Sequence, residues 1–139
     1  MTTGRERGKQ LLSAFSAKVK KEVAPSGEPV MHARGQKAVA ELAADLSGSE
    51  APPGLKVFRD AIDRFRLQRQ GKNAEVRIEW QRPIQCIVVV LDKAGRAQPE
   101  VKYVHRDADD AWHRMEGEGE LYEDVMGLLA EALYPEARR

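Results

Sequence analysis

The chain has one cysteine in 139 residues, Cys86. That excludes an intramolecular disulfide and a cysteine-rich zinc site. Long hydrophobic runs are missing too. The longest uninterrupted aliphatic stretch covers residues 87–91, far short of the roughly 20 apolar residues that span a bilayer. The opening MTTGRERGKQLLSAFSAKVKKEV scatters charges among its apolar residues and lacks the apolar core and cleavage site of a signal peptide. A cytoplasmic protein with no membrane partner is therefore expected. No internal repeat, glycine-rich phosphate loop or nucleophile-elbow serine stands out.

Hydrophobic residues make up 42% and charged residues 32%, a globular balance with enough chain to bury a core. Net charge is only +1 but uneven. Residues 1–72 carry 14 Lys and Arg against 8 Asp and Glu, and residues 73–139 carry 9 against 14. A basic front and acidic back suit a nucleic-acid partner, pairing within one fold, or pairing between chains.

Periodicity divides the chain. Leu12, Phe15, Val19 and Val23 predict an amphipathic helix over residues 5–23. Met31, Ala38, Val39, Leu42 and Leu46 predict a second helix starting near Pro29, with Gly35 weakening its front half. Leu55, Phe58, Ile62 and Phe65 fall at spacings of three, four and three, which predicts a third helix over residues 55–70, capped by Gly71.

The period then changes to two. Val76, Ile78 and Trp80 alternate with Glu75, Arg77, Glu79 and Gln81, the pattern of a half-buried strand. Residues 84–91 do not alternate and are rich in β-branched side chains, which predicts a central strand covered on both faces. A third strand over residues 100–106, a short fourth around Trp112, and a closing helix over residues 119–134 complete the series. The hairpin turn at Gln81-Arg82-Pro83 lacks the signal of a two-residue loop. The register, and with it the face that Cys86 occupies, is left open.

The expected fold class is α+β: about three N-terminal helices, an antiparallel three- to four-stranded meander, and a C-terminal helix packed on the sheet. Residues 1–139 are expected to form one domain. Within it, residues 1–50 are a helical region able to stand as an arm, and residues 55–139 an α-β-β-β(-β)-α core.

Candidate chemistry is sparse. In a fully extended chain His105, Asp107, Asp109 and His113 would share one face and make a metal-binding candidate. The alternative is a hairpin with its tip at residues 107–110, in which His105 opposes Trp112 and His113 opposes Val104. Asp clusters favour such tips by bonding nearby backbone N–H groups. Cys86 lies mid-strand among valines, where a thiol acts as a small hydrophobe. The acids Glu116, Glu118 and Glu120 read as a solvated loop leading into the positive end of the closing helix.

No catalytic residue and no cofactor is expected, and the residues favour a non-enzymatic protein over an enzyme. The leading reading is a small interaction or adaptor domain whose partner is another protein or a second copy in a homodimer. Its binding candidates are Arg59, Arg66, Arg69, Trp80 and Trp112, residue types enriched at interaction hot spots. The runner-up is a nucleic-acid-binding accessory protein using basic N-terminal helices. The third is a metal-dependent enzyme built on the His105–His113 stretch.

Overall fold

The computed structural model describes residues 28–138. The chain divides into two units, Met1–Ala33 and Arg34–Arg139. Of the first, the described part is residues 28–33, the opening turns of helix α1 (Glu28–Leu46). The helix expected over residues 5–23 lies outside the described residues.

The second unit is organised by a seven-stranded antiparallel sheet. Its strands are β1 (Leu55–Ala61), β2 (Arg64–Arg69), β3 (Ala74–Gln81), β4 (Cys86–Lys93), β5 (Arg96–Ala97), β6 (Val101–Arg106) and β7 (Ala111–Arg114). The spatial order is β1-β2-β3-β4-β6-β7, with the two-residue β5 pairing the far end of β4. Helix α2 (Leu121–Leu128) follows and continues through a π-type turn, Leu129–Leu133. The class is α+β, but three N-terminal helices followed by a three- to four-stranded meander are not what forms.

The error lies in the segment read as a third helix, which is the β1–β2 hairpin. Leu55 faces Arg69, Val57 faces Leu67 and Arg59 faces Phe65. The same residues satisfy both periods: Phe65 and Leu67 alternate as well as Leu55, Phe58, Ile62 and Phe65 repeat. Tertiary pairing decides between them, because β3 offers β2 a ladder and an apolar face. The turn at Ile62-Asp63 carries no residue of positive φ. A register shift between Arg59 and Ala61 absorbs the mismatch as a bulge at Asp60. Gly71, at φ +84, serves the β2–β3 turn rather than a helix end.

Elsewhere the elements fall close to expectation. β3 spans the expected residues, and β4 is central, flanked by β3 and β6. The β3–β4 register is Gln81 opposite Cys86, closed by a turn over Arg82–Ile84 and by Gln85 at φ 52. Strand β4 thus starts at Cys86 and leaves Ile84 in the turn.

The pairing assigns every side chain a face. One face carries Phe65, Leu67, Val76, Ile78, Trp80, Ile87, Val89, Leu91, Tyr103 and Trp112, all buried. From α1, Val39, Leu42, Ala43 and Leu46 are buried, and from the C-terminal segment Leu121, Val125, Leu129 and Leu133. Each of the valines and leucines among them contributes about 1.5–3 kcal/mol of transfer free energy. Gly35 is the close-approach point, since a Cβ there would lie 2.2 Å from the Trp80 indole. Glycine in mid-helix therefore seats α1 on the ring instead of breaking it.

A polar lock holds α2. Tyr103 Oη donates to Asp124 Oδ2 at 2.6 Å, and Arg114 Nε donates to the same oxygen at 2.6 Å. Burial pushes the Tyr103 hydroxyl up, with the Asp124 carboxylate adding to it. The Glu120 side chain caps the helix by accepting from the Glu123 amide at 3.2 Å, which bears out the reading of the last acids before α2.

Candidate functional site

The opposite face of the sheet carries the alternate residues: Arg64, Arg66 and Gln68 on β2, Glu75, Arg77, Glu79 and Gln81 on β3, and Cys86, Val88 and Val90 on β4. Lys102 and Val104 continue it on β6. Among the described residues of this unit no helix packs over that face. A trough of about 570 Å³ crosses it, lined by Asp60, Arg64, Arg66, Arg77, Glu79, Gln81, Val88, Val90 and Glu100. Its floor is apolar and its rim carries both signs of charge. Val88 is only 2% exposed even here, and Glu79 and Lys102 flank it on the neighbouring strands.

The rim is already organised. Arg66 grips Asp60 with two bonds, 2.7 and 3.1 Å, and reaches Glu75 at 3.2 Å. Hydrogen bonding to Arg66 holds the Asp60 carboxyl below its usual range. The Arg66 guanidinium also lies over the Phe58 ring, 5.1 Å from its centroid. Gln68 donates to Glu75 at 2.7 Å, and Gln81 to Glu79 at 2.6 Å. These bonds hold the carboxylates in place.

The five expected binding residues do not form one site. Arg66 lies on the trough. Arg59 and Arg69 belong to the helix-covered side of β1 and β2. Arg69 lies over the Tyr134 ring at 4.2 Å, donates to the Leu133 carbonyl at 2.8 Å and pairs with Glu136. Trp80 and Trp112 are core residues, packed edge to face with centroids 5.7 Å apart. The sequence reading missed Arg64, Arg77, Glu79, Val90 and Glu100. Arg77 and Glu79 had a sequence signal, the polar side of the β3 alternation, which a solvated face produces equally well; Arg64, Val90 and Glu100, on β2, on β4 and before β6, had none.

The histidine-aspartate stretch takes the hairpin form. His105 opposes Trp112 and Val104 opposes His113, so the two imidazoles sit on opposite faces. His105 Nε2 lies 2.6 Å from Asp110 Oδ1, and His113 Nε2 lies 2.6 Å from Asp109 Oδ2. Bonding to these rings lowers the Asp110 and Asp109 carboxyls respectively. His105 Nδ1 is buried without a hydrogen bond. The nearest carboxylate oxygen, Asp107 Oδ1 at 3.2 Å, is also held by Arg34 at 3.1 Å. A guanidinium on that oxygen competes with any cation. Among the described residues no cluster of three or more His, Cys, Asp or Glu is placed to hold a metal ion.

A second cleft of about 570 Å³ runs between α1 and the β6–β7 hairpin, lined by residues that include Lys37, Glu41, His105, Trp112 and Tyr122. Cys86 is buried on the trough face, and burial pushes its thiol up. That works against a nucleophilic thiolate.

Several ion pairs join the basic front of the chain to its acidic back: Arg34 with Asp107, Arg66 with Glu75, and Arg69 with Glu136. Part of the charge asymmetry is thus consumed within one chain. No helix of the described residues is long and apolar enough to cross a membrane.

Fold and face together define an α+β protein with an antiparallel sheet, helices on one side and a charged, apolar-floored trough on the other. No protein-family model matches the chain, and neither a curated protein nor a solved structure is significantly similar to it.

Proposed function

We propose that this chain is a non-enzymatic interaction module that presents to another protein in the cytoplasm the face of its sheet over which no helix packs among the described residues. One observation carries the reading: an apolar floor, Val88 and Val90, lies inside a rim of both charge signs. Protein interfaces combine an apolar centre with a polar rim in this way. A polyanion would instead favour a surface of one sign. Of the basic N-terminal helices offered for nucleic acid, the one over residues 5–23 lies outside the described residues; the segment over residues 55–70 is a hairpin that divides its arginines between two faces, and Arg66 and Arg69 already hold carboxylates.

A photo-crosslinking residue at Val90, against a control at the exposed Met126 on α2, tests the reading in extracts of the source cell. Adducts of discrete mass from Val90 alone are the expected result. Equal labelling at both positions, or none at either, overturns it. A gel shift with mixed oligonucleotides at low salt is expected to show no retardation.

A further inference from the structure

The two edges of the sheet are treated differently. β7 is four residues long, and the following segment folds back on it: His113 bridges to Glu120, and the Arg114 amide donates to the Gly119 carbonyl at 2.9 Å. β1 is seven residues long and ends the sheet, with no strand beyond it among the described residues.

Two bonds fix which backbone groups of β1 face outward. The Trp80 amide donates to the Asp63 carbonyl at 2.9 Å, and the Ala94 amide donates to the Asn73 carbonyl at 2.8 Å. Since successive residues of a strand turn their N–H and C=O to opposite sides, Trp80, Ile78 and Val76 address β2. Phe65 and Leu67 then address β3, and Arg66 and Gln68 address β1. Through the pairs Phe58–Arg66 and Lys56–Gln68, Phe58 and Lys56 are committed to β2. Val57 and Arg59 turn their backbone groups to the free edge.

That edge complements itself. Placing a second β1 antiparallel about a two-fold axis at Phe58 sets Val57 opposite Arg59 of the partner copy, where the two exchange backbone hydrogen bonds. Phe58 meets its own copy as a non-hydrogen-bonded pair, the closer of the two pair types. Lys56, which has no ion-pair partner among the described residues, falls opposite Asp60 of the other chain, a carboxylate that Arg66 of its own chain already holds and that Lys56 would approach as a second cation. Phe58 is 39% exposed, a large aromatic left at an open edge. Charged residues usually protect an edge strand by repelling a copy of it. In this register the opposed charges attract, and the bulge at Asp60 falls at the end of the paired stretch, after the Val57–Arg59 pair.

We propose that β1 pairs with β1 of a second copy of this chain, joining two sheets into one and setting the two troughs side by side. The proposal deepens the interaction reading by naming one partner, but it uses the edge of the sheet and not its face. Sedimentation velocity and light scattering on the full chain over a wide concentration range test it. The wild type is expected to pass from monomer to dimer, with dissociation strengthened by salt.

Val57→Pro removes an outward N–H from each copy while leaving the β1–β2 ladder intact. It is expected to raise the dissociation constant by at least about tenfold, the effect of about 1.4 kcal/mol from two lost bonds. Lys56→Glu, a surface change, is expected to weaken the dimer too and serves if the proline variant fails to fold. A wild type that stays monomeric at every concentration, or a dimer indifferent to both changes, overturns the pairing. Neither result touches the Val90 cross-linking, so the two readings fail separately.

Discussion

On one side of β4, Ile87, Val89 and Leu91 belong to the core beneath the helices. On the other, Cys86, Val88 and Val90 lie beside Gln81, Glu79 and Arg77 of β3, and among the described residues of this unit no helix packs over them. Both sets are apolar, and Val88 and Val89 are almost equally buried. The means of burial differ. On the helix side water is excluded by interlocking side chains that cannot move without opening the core. On the trough side the neighbours along the pairing are long charged residues, whose apolar stems can lie over a valine and still shift.

Substitutions on the two sides should separate these mechanisms, and the largest effect belongs to the helix side. Trp80→Ala removes the ring under Gly35 and the edge-to-face partner of Trp112. It is expected to cost about 3–5 kcal/mol in denaturant unfolding. A loss comparable to a surface change would show that α1 is not seated on the ring.

Asp124→Ala breaks the lock on α2 and strands the Tyr103 hydroxyl in the core. A loss of about 2–3 kcal/mol is expected, because a bond to a charged group disappears and a buried donor is left unpaired. Hydrogen exchange should locate the loosening in α2 and β7 and leave β3 and β4 protected.

The sharpest comparison lies between adjacent valines. Val89→Ala deletes about two buried methyl groups and leaves a cavity, an expected loss of about 2 kcal/mol. Val88→Ala, where long side chains can collapse onto the gap, is expected to cost about 1 kcal/mol. Equal losses would mean that the trough face is packed as rigidly as the core face.

The smallest effect is in acid. Asp60, Asp109, Asp110 and Glu136 have folded carboxyl pKa values below their ordinary ones: Asp60 through Arg66, Asp109 through His113, Asp110 through His105, and Glu136 through its own backbone and then Arg69. Groups so depressed stabilise the fold above the ordinary carboxylate range, and that contribution disappears as pH falls through the folded values. All four are exposed, so thermal unfolding should show a shallow decline in Tm below that range. Asp60→Asn combined with Asp109→Asn should flatten it.

How far the sequence can be read depends on how many structures a segment's pattern fits. Residues 74–81 alternate in one way only, and β3 forms there. The residues before Pro135 bear a single apolar stripe, although the final turn winds as a π-type turn and not as α-helix. Residues 55–69 fit a helical seam and a pair of strands equally well, and here the reading went wrong. The trough was illegible for a related reason. Its floor comes from β4 and its rim from β1, β2, β3 and the approach to β6, so no window of sequence contains it.

By itself the sequence determined the α+β class, α1 from Pro29 onward, the identity of β3 and β4, and the two outcomes possible for the histidine stretch. Those are local matters, set by periodicity, capping and turn chemistry. Tertiary structure alone decided that residues 55–69 pair as strands, that Cys86 faces the trough, and that Gly35 seats a helix on Trp80. It also decided that one face of the sheet stays uncovered within the described residues. Each of these depends on which remote segment lies alongside, and a strand's ladder and a helix's seat become favourable only when that segment is present.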